Sequence, residues 1–272
     1  YDFLRWGLID HCDNSFFKNI FSLKPGHFLE IDFLNSKIDS HQYWDYNFTN
    51  PSKPINRDEY SRELDRLFNQ AVKRQLVGDV ELGTYLSGGI DSGSITAIAS
   101  KQIPFLKSFT CGFDVSSASG IELSFDERIK AEAMSALFNT EHYQMVLKAG
   151  DMERCLPKLS WHLEEPRVGQ SYPNYYAAYL ASKFVKVVLS GSGGDELFAG
   201  YPWRYFTQQK AQSFDDYIDK YYLYWQRLVS NSELKKLFKP IWGDVKEVWT
   251  RDIFKSIFPE NSSCPAQKEE LI

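Results

Sequence analysis

A chain of 272 residues, 43% hydrophobic and 16% aromatic, has apolar surface enough to fold as one large α/β domain or one domain plus part of another, which excludes a small disulfide scaffold and global disorder. Thirty-one Lys and Arg stand against 36 Asp and Glu, and a net charge of −5 makes nucleic acid an unexpected partner. Four scattered cysteines (Cys12, Cys111, Cys155, Cys264) lack C-x-x-C spacing, and the chain has neither a bilayer-length apolar run nor a signal peptide; a reducing, cytoplasmic setting without a membrane is expected.

The first 48 residues contain Phe28-Leu29-Glu30-Ile31-Asp32-Phe33, which alternates like a strand with one wet face, and then Tyr43-Trp44-Asp45-Tyr46. Extended structure lying against a larger body is the expectation. Thr49-Asn50-Pro51-Ser52-Lys53-Pro54 concentrates loop formers and marks a boundary, with one region at 1–50 and another at 51–272. Asn56 with Glu59 three positions on is a capping signal, and Tyr60, Leu64, Leu67, Phe68, Ala71 and Val72 recur at helical spacing behind it.

Alternation follows: strands near 80–86, 106–113, 142–147 and 185–189, with helices from Ser92, over 126–137, around 152–163 and over 172–184. Strands apolar on both faces, alternating with helices, predict a doubly wound parallel sheet. Beyond Asp195, residues 214–229, 232–238 and 245–258 read as amphipathic helices rich in Tyr and Trp, a helical C-terminal subregion.

Two strand ends carry glycine-rich loops. Leu82–Leu86 leads into Ser87-Gly88-Gly89-Ile90-Asp91-Ser92, and Val187-Val188-Leu189 into Ser190-Gly191-Ser192-Gly193-Gly194-Asp195-Glu196. Glycines admit main-chain N–H groups to a polyanion, and a helix N-terminus adds partial positive charge. The loops serve either as phosphate cradles or as tight turns in which Asp91, Ser92 and Asp195 cap helices. If both loops face one crevice, Asp91 and Asp195 converge, and a hard cation such as Mg²⁺ is needed between them and a phosphate chain. The lysine of a G-x-x-x-x-G-K-[ST] loop and the G-x-S-x-G of a hydrolase are both missing from these turns.

Ser87-Gly88-Gly89-Ile90-Asp91-Ser92 resembles the pyrophosphate loop of the ATP-pyrophosphatases. The run Leu189-Ser190-Gly191 through Gly193-Gly194-Asp195-Glu196-Leu197-Phe198, with Gly200-Tyr201, narrows the resemblance to the asparagine synthetase branch. Residues 14–32 are similar to the last strands of that family's N-terminal glutaminase domain, whose nucleophile is an N-terminal cysteine that has no counterpart here. The resemblance thus implies a glutaminase remnant plus linker at 1–50 and a synthetase domain at 51–272. It also implies that the family's pyrophosphate lysine lies beyond Ile272, and that the chain is a piece of a longer protein.

Carried over residue by residue, the resemblance implies that Leu86, Cys111, Ser190 and Gly191 line an adenosine site. Ser87, Gly88, Gly89, Asp91 and Ser92 would hold pyrophosphate, and Asp91 and Asp195 would bind Mg²⁺. The implied reaction takes ATP and a carboxylate, aspartate foremost, to an acyl-AMP and pyrophosphate, then to an amide with ammonia derived from glutamine. A homodimer is compatible with it. Two positions depart from the pattern: Ser192 stands where the family is usually acidic, and Gly169 or Gln170 where an aspartate is common. A synthetase-like module that binds nucleotide without turnover, and an amidotransferase for another carboxylate, are the competing expectations.

Overall fold

The computed structural model describes residues 1–7, 10–47, 56–117, 125–167, 169, 171–204, 211–226, 228–248 and 250–258. The boundary at 49–54, Gln170 and Cys264 lie outside the described residues. In chain order the elements are α1 (Asp2–Trp6), β1 (His27–Asp32), β2 (Lys37–Gln42), α2 (Arg57–Gln75), β3 (Leu82–Tyr85), α3 (Ile90–Ala99), β4 (Lys107–Phe113), α4 (Arg128–Phe138) and β5 (Glu141–Leu147). There follow α5 (Asp151–Leu163), α6 (Ser171–Ala181), β6 (Val187–Leu189), α7 (Gly194–Phe198), α8 (Phe214–Trp225), α9 (Asn231–Leu237), α10 (Trp242–Val245) and α11 (Thr250–Ser256). By contacts the chain divides into two compact units: 51–200, and 1–50 together with 201–272.

In the unit 51–200, Asn56 caps α2 as its position predicts, its side chain accepting from the N–H groups of Asp58 and Glu59. The sheet is parallel, in the order β5-β4-β3-β6. Successive residues of a strand face opposite sides. Tyr85, Phe109, Tyr143 and Val188 therefore share one face, where they pack with Ala181, Val185 and Phe184. The other face is less apolar than expected. Thr84 accepts a hydrogen bond from Thr96 of α3, and Ser108 is bonded to Thr140 and to His142 Nδ1. Apolar packing continues beside these hydroxyls through Val72, Ile98, Ala99 and Leu106, with Leu189 at the edge.

In the other unit, α1 buries Trp6 against Ile218 and Tyr222 of α8 and Phe254 of α11. Arg5 Nε donates to the Tyr222 hydroxyl, which is bonded to Thr250. The helix expected over 245–258 is shorter: α10 ends at Val245, Val248 closes a turn onto Val245, and α11 starts at fully buried Thr250, whose hydroxyl is bonded to Tyr222. The helix expected to run to Val229 stops at Trp225, where Gln226 leaves helical geometry (ψ 76°).

β1 pairs antiparallel with β2, a strand without apolar alternation and so unread in the sequence. The turn supplies the reason: Asp32 Oδ1 accepts from Leu34 N and Asn35 N, and Ser36 takes the left-handed conformation at φ 53°. The dry face expected of β1 is not found in the hairpin. Phe28, Leu29, Ile31 and Ile38 are all exposed, and Leu34 is 95% exposed.

Candidate functional site

From β3 the chain moves through β4 to β5 on one side, then returns to place β6 on the other side of β3. The reversal lies between β3 and β6, and in open parallel sheets the crevice beyond the carboxyl ends at such a point is where ligands sit. Both glycine-rich loops leave the sheet there, because Thr84 pairs with Leu189.

The first loop is held from below. Leu86 N donates to Phe109 O at 2.9 Å, and Thr110 donates its hydroxyl to Leu86 O, so both main-chain groups of Leu86 are committed to β4. Its side chain is buried at 1% exposure, a supporting position rather than an open wall. Within the loop, Ser92 Oγ accepts from Ser87 N at 3.0 Å and lies 2.9 Å from Ser87 Oγ, which accepts from Gly89 N at 3.1 Å. These serines shape the turn. The N–H groups of the first turn of α3, which no intrahelical carbonyl reaches, remain the donors for an anion.

The bland reading of Asp91 and Ser92 as caps does not hold, since the N-cap residue of α3 is Gly89. Asp91 stands in the first turn and meets the second loop. A Cβ on Gly191 would come within 2.9 Å of Asp91 Cβ and 2.8 Å of Ser92 N, and one on Gly194 would collide with the Asp91 carboxyl group. Only glycines let the loops approach this closely. The Asp91 carboxyl is pushed above the ordinary value by loss of water, and further by the charges of Asp195 and Glu196. Asp195 packs against Gly200 at the far end of α7.

A hard divalent cation fits this crowding, because the negative charge that raises the Asp91 pKa is relieved by a positive one. No group of three or more His, Cys, Asp or Glu is arranged to hold a metal among the described residues. The carboxylates would supply part of a ligand shell completed by phosphate oxygens and water, as magnesium accepts.

The remaining positions are more dispersed. Ser190 and Ser192 are exposed, with hydroxyls 3.0 Å apart. Cys111 is half-buried on β4, and burial, followed by the charge of Asp151, pushes its thiol up to about 12, which keeps it a neutral wall group. Gly169 lines a cavity of about 400 Å³ bordered by α5 and α6, together with Leu156, Glu164, Arg167 and Tyr172. Sequence reasoning passed over Glu196, Arg128 and Lys130. Arg128 grips Asp126 and donates to Phe113 O at the end of β4. The acidic residue adjoining Asp195 was the available signal for Glu196; the other two follow from a helix start that carries no motif.

The family model for asparagine synthase matches residues 63–267, three quarters of the chain. The chain belongs to the asparagine synthase family. A putative asparagine synthetase [glutamine-hydrolyzing] 2 of Methanocaldococcus jannaschii is 34% identical over 194 residues, which is 69% of this chain and 35% of that protein. A putative asparagine synthetase [glutamine-hydrolyzing] of Mycobacterium tuberculosis is 37% identical over 154 residues, 55% of this chain and 22% of that protein. Asparagine synthetase [glutamine-hydrolyzing] 1 of Bacillus subtilis is 34% identical over 152 residues, 55% of this chain and 23% of that protein. The chain thus spans about a third or less of these asparagine synthetases. The family match runs through the α/β unit and on into the C-terminal helices. No helix among the described residues is long and apolar enough to cross a membrane.

Proposed function

We propose that this chain carries the nucleotide-binding part of an ATP-dependent amide ligase, with 51–272 as the synthetase domain and 1–50 as the end of a glutaminase-like domain. The reaction activates aspartate or a related carboxylate as acyl-AMP, releases pyrophosphate, and passes the acyl group to ammonia derived from glutamine. The observation that carries the reading is the closure of Gly191 and Gly194 onto Asp91, with Asp195 and Glu196 close enough to raise its pKa.

In this reading the first turn of α3 and Gly88 present N–H groups to the phosphates, with Ser87 and Ser92 holding the turn in shape. Ser190, Gly191 and Cys111 border the adenosine, and Leu86 holds the base of the loop. Asp91 and Asp195 would hold Mg²⁺, which when bound supplies positive charge to the phosphate oxygens. Donors fixed before the reaction stabilise the charge that grows on departing pyrophosphate without reorganising. The cavity at Glu164, Arg167 and Gly169 offers an acceptor carboxylate one cation, Arg167.

Calorimetric titration of Mg-ATP tests the reading. The chain is expected to bind, and Asp91→Ala and Asp195→Ala each to weaken binding by roughly tenfold or more. Absence of magnesium-dependent binding at millimolar ATP defeats it. One observation favours a second reading, binding without turnover: Ser192 offers only a hydroxyl, bonded to Ser190. Aspartate-dependent pyrophosphate release separates the two.

A further inference from the structure

Lys130 is the third residue of α4, and its stem lies across the first glycine loop. A Cβ built on Gly88 would come within 2.5 Å of Lys130 Cδ and 2.7 Å of Lys130 Cβ. The ammonium is two bonds beyond Cδ, within reach of the turn formed by Ser87, Gly88 and Gly89. Its charge has no acidic partner among the described residues. Asp126, two positions ahead of α4, is gripped by Arg128 through Nε and Nη2. Glu132 accepts instead from Gln144.

Its place on the helix reinforces the point. The first turn of α4 holds no acidic residue, and its N-cap residue, Glu127, makes no side-chain capping bond. A cation in the first turn of a helix opposes the helix dipole, so Lys130 sits where an anion, not a lysine, is favoured. An anion bound beside Gly88 removes that conflict.

Resting on the nucleotide reading above, we propose that Lys130 is a phosphate-binding cation of this site, contacting the pyrophosphate portion of the nucleotide beside Gly88. The glycine at 88 then has a second use: it leaves room for the lysine stem as well as presenting its own N–H. A lysine is suited to this as a compact charge on a flexible stem that follows phosphate oxygens.

The test titrates Mg-pyrophosphate and, separately, adenosine into the chain and into Lys130→Met, Lys130→Arg, Lys130→Gln and Lys101→Met. Met keeps the apolar stem over Gly88 while removing the charge. Pyrophosphate binding is expected to weaken roughly tenfold or more in Lys130→Met and Lys130→Gln, the scale of one charge-assisted hydrogen bond. It should be largely retained in Lys130→Arg and unchanged in Lys101→Met, with adenosine affinity equal throughout. If either folded neutral variant binds Mg-pyrophosphate as the parent does, Lys130 has no such role while the nucleotide reading stands. If adenosine affinity falls in parallel, the lysine only shapes the loop and the proposal is overturned. A parent chain that binds neither probe defeats the nucleotide reading itself, before any substitution is compared.

Discussion

In the unit 51–200 the buried set of the sheet and α3 includes four hydroxyls, Thr84, Thr96, Ser108 and Thr110, each with a hydrogen-bond partner. In the unit formed by 1–50 and 201–272 the buried set is Trp6, Ile218, Tyr222 and Phe254, with Tyr217, Tyr221 and Phe258 packed around it. The difference lies in what each kind of core determines. Hydrogen bonds fix direction as well as distance, so Thr110 on Leu86 O and Thr96 on Ser92 O and Thr84 locate the backbone at the two ends of the first loop. Aromatic packing fills volume and prefers edge-on contacts, such as Trp6 with Phe254 at 84° between planes, but it specifies no single backbone donor.

The largest expected effect breaks the aromatic side of this contrast. Ile218 is fully buried among Trp6, Tyr222 and Phe254, and Ile218→Ala leaves a cavity whose rings can close in only partly. A loss of about 2–5 kcal/mol is expected. Six of the seven tryptophans lie within 1–50 and 201–272, so urea unfolding followed by tryptophan fluorescence reports on this unit. A loss under about 0.5 kcal/mol, the range of ordinary surface changes, shows that Ile218 is not central to that core.

How far the sequence announced each region follows from the same distinction. The α/β unit was legible almost element by element, because strand runs such as Lys107–Phe113 and capped helices such as Arg57–Gln75 carry local periodicity and local caps. Its loops were legible because glycine next to Asp91 and Asp195 is a local pattern. What was not legible was anything set by distant packing: that Leu86 faces inward, that Lys130 crosses Gly88, and that Glu196 adds to the field on Asp91. In the other unit α1 went unread, since five residues ending in Trp6 become a helix only through the cluster they join. The late start of α11 at Thr250 has the same origin, a tertiary hydrogen bond to Tyr222.

A smaller effect sharpens the electrostatic side. The Asp91 carboxyl has its pKa raised by desolvation first, then by Asp195 and Glu196, so the folded state binds protons more readily there than the unfolded chain does. This group favours folding most at pH below its ordinary value of 3.8, and that contribution is lost as pH rises through the raised value. Asp91→Asn removes the dependence. The Tm of the variant relative to the parent is expected to be higher at pH 7 than at pH 3.5, although the variant binds Mg-ATP more weakly. Saturating Mg-ATP should stabilise the parent more than the variant. A Tm difference that is flat with pH contradicts the crowding.

The smallest effect concerns the hairpin, where the sequence pattern and the structure part most clearly. Alternation in β1 predicts one buried face, yet Phe28, Leu29 and Ile31 are exposed, and Leu34 in the turn is 95% exposed. What orders the hairpin is backbone pairing from His27 with Gln42 to Asp32 with Lys37, together with the Asp32 side chain bonding the turn N–H groups. The apolar side chains contribute little to that, because burial is what makes an apolar group stabilising and these lose little water contact. Leu34→Ser is therefore expected to change the stability of this chain by no more than about 0.5 kcal/mol in urea. Asp32→Ala, which takes the acceptor from both turn N–H groups and from the Asn35 amide, should cost more than Leu34→Ser. The reverse order, with Leu34→Ser the more damaging, means that the exposed face is engaged in solution and that the period-2 pattern was reporting a contact after all.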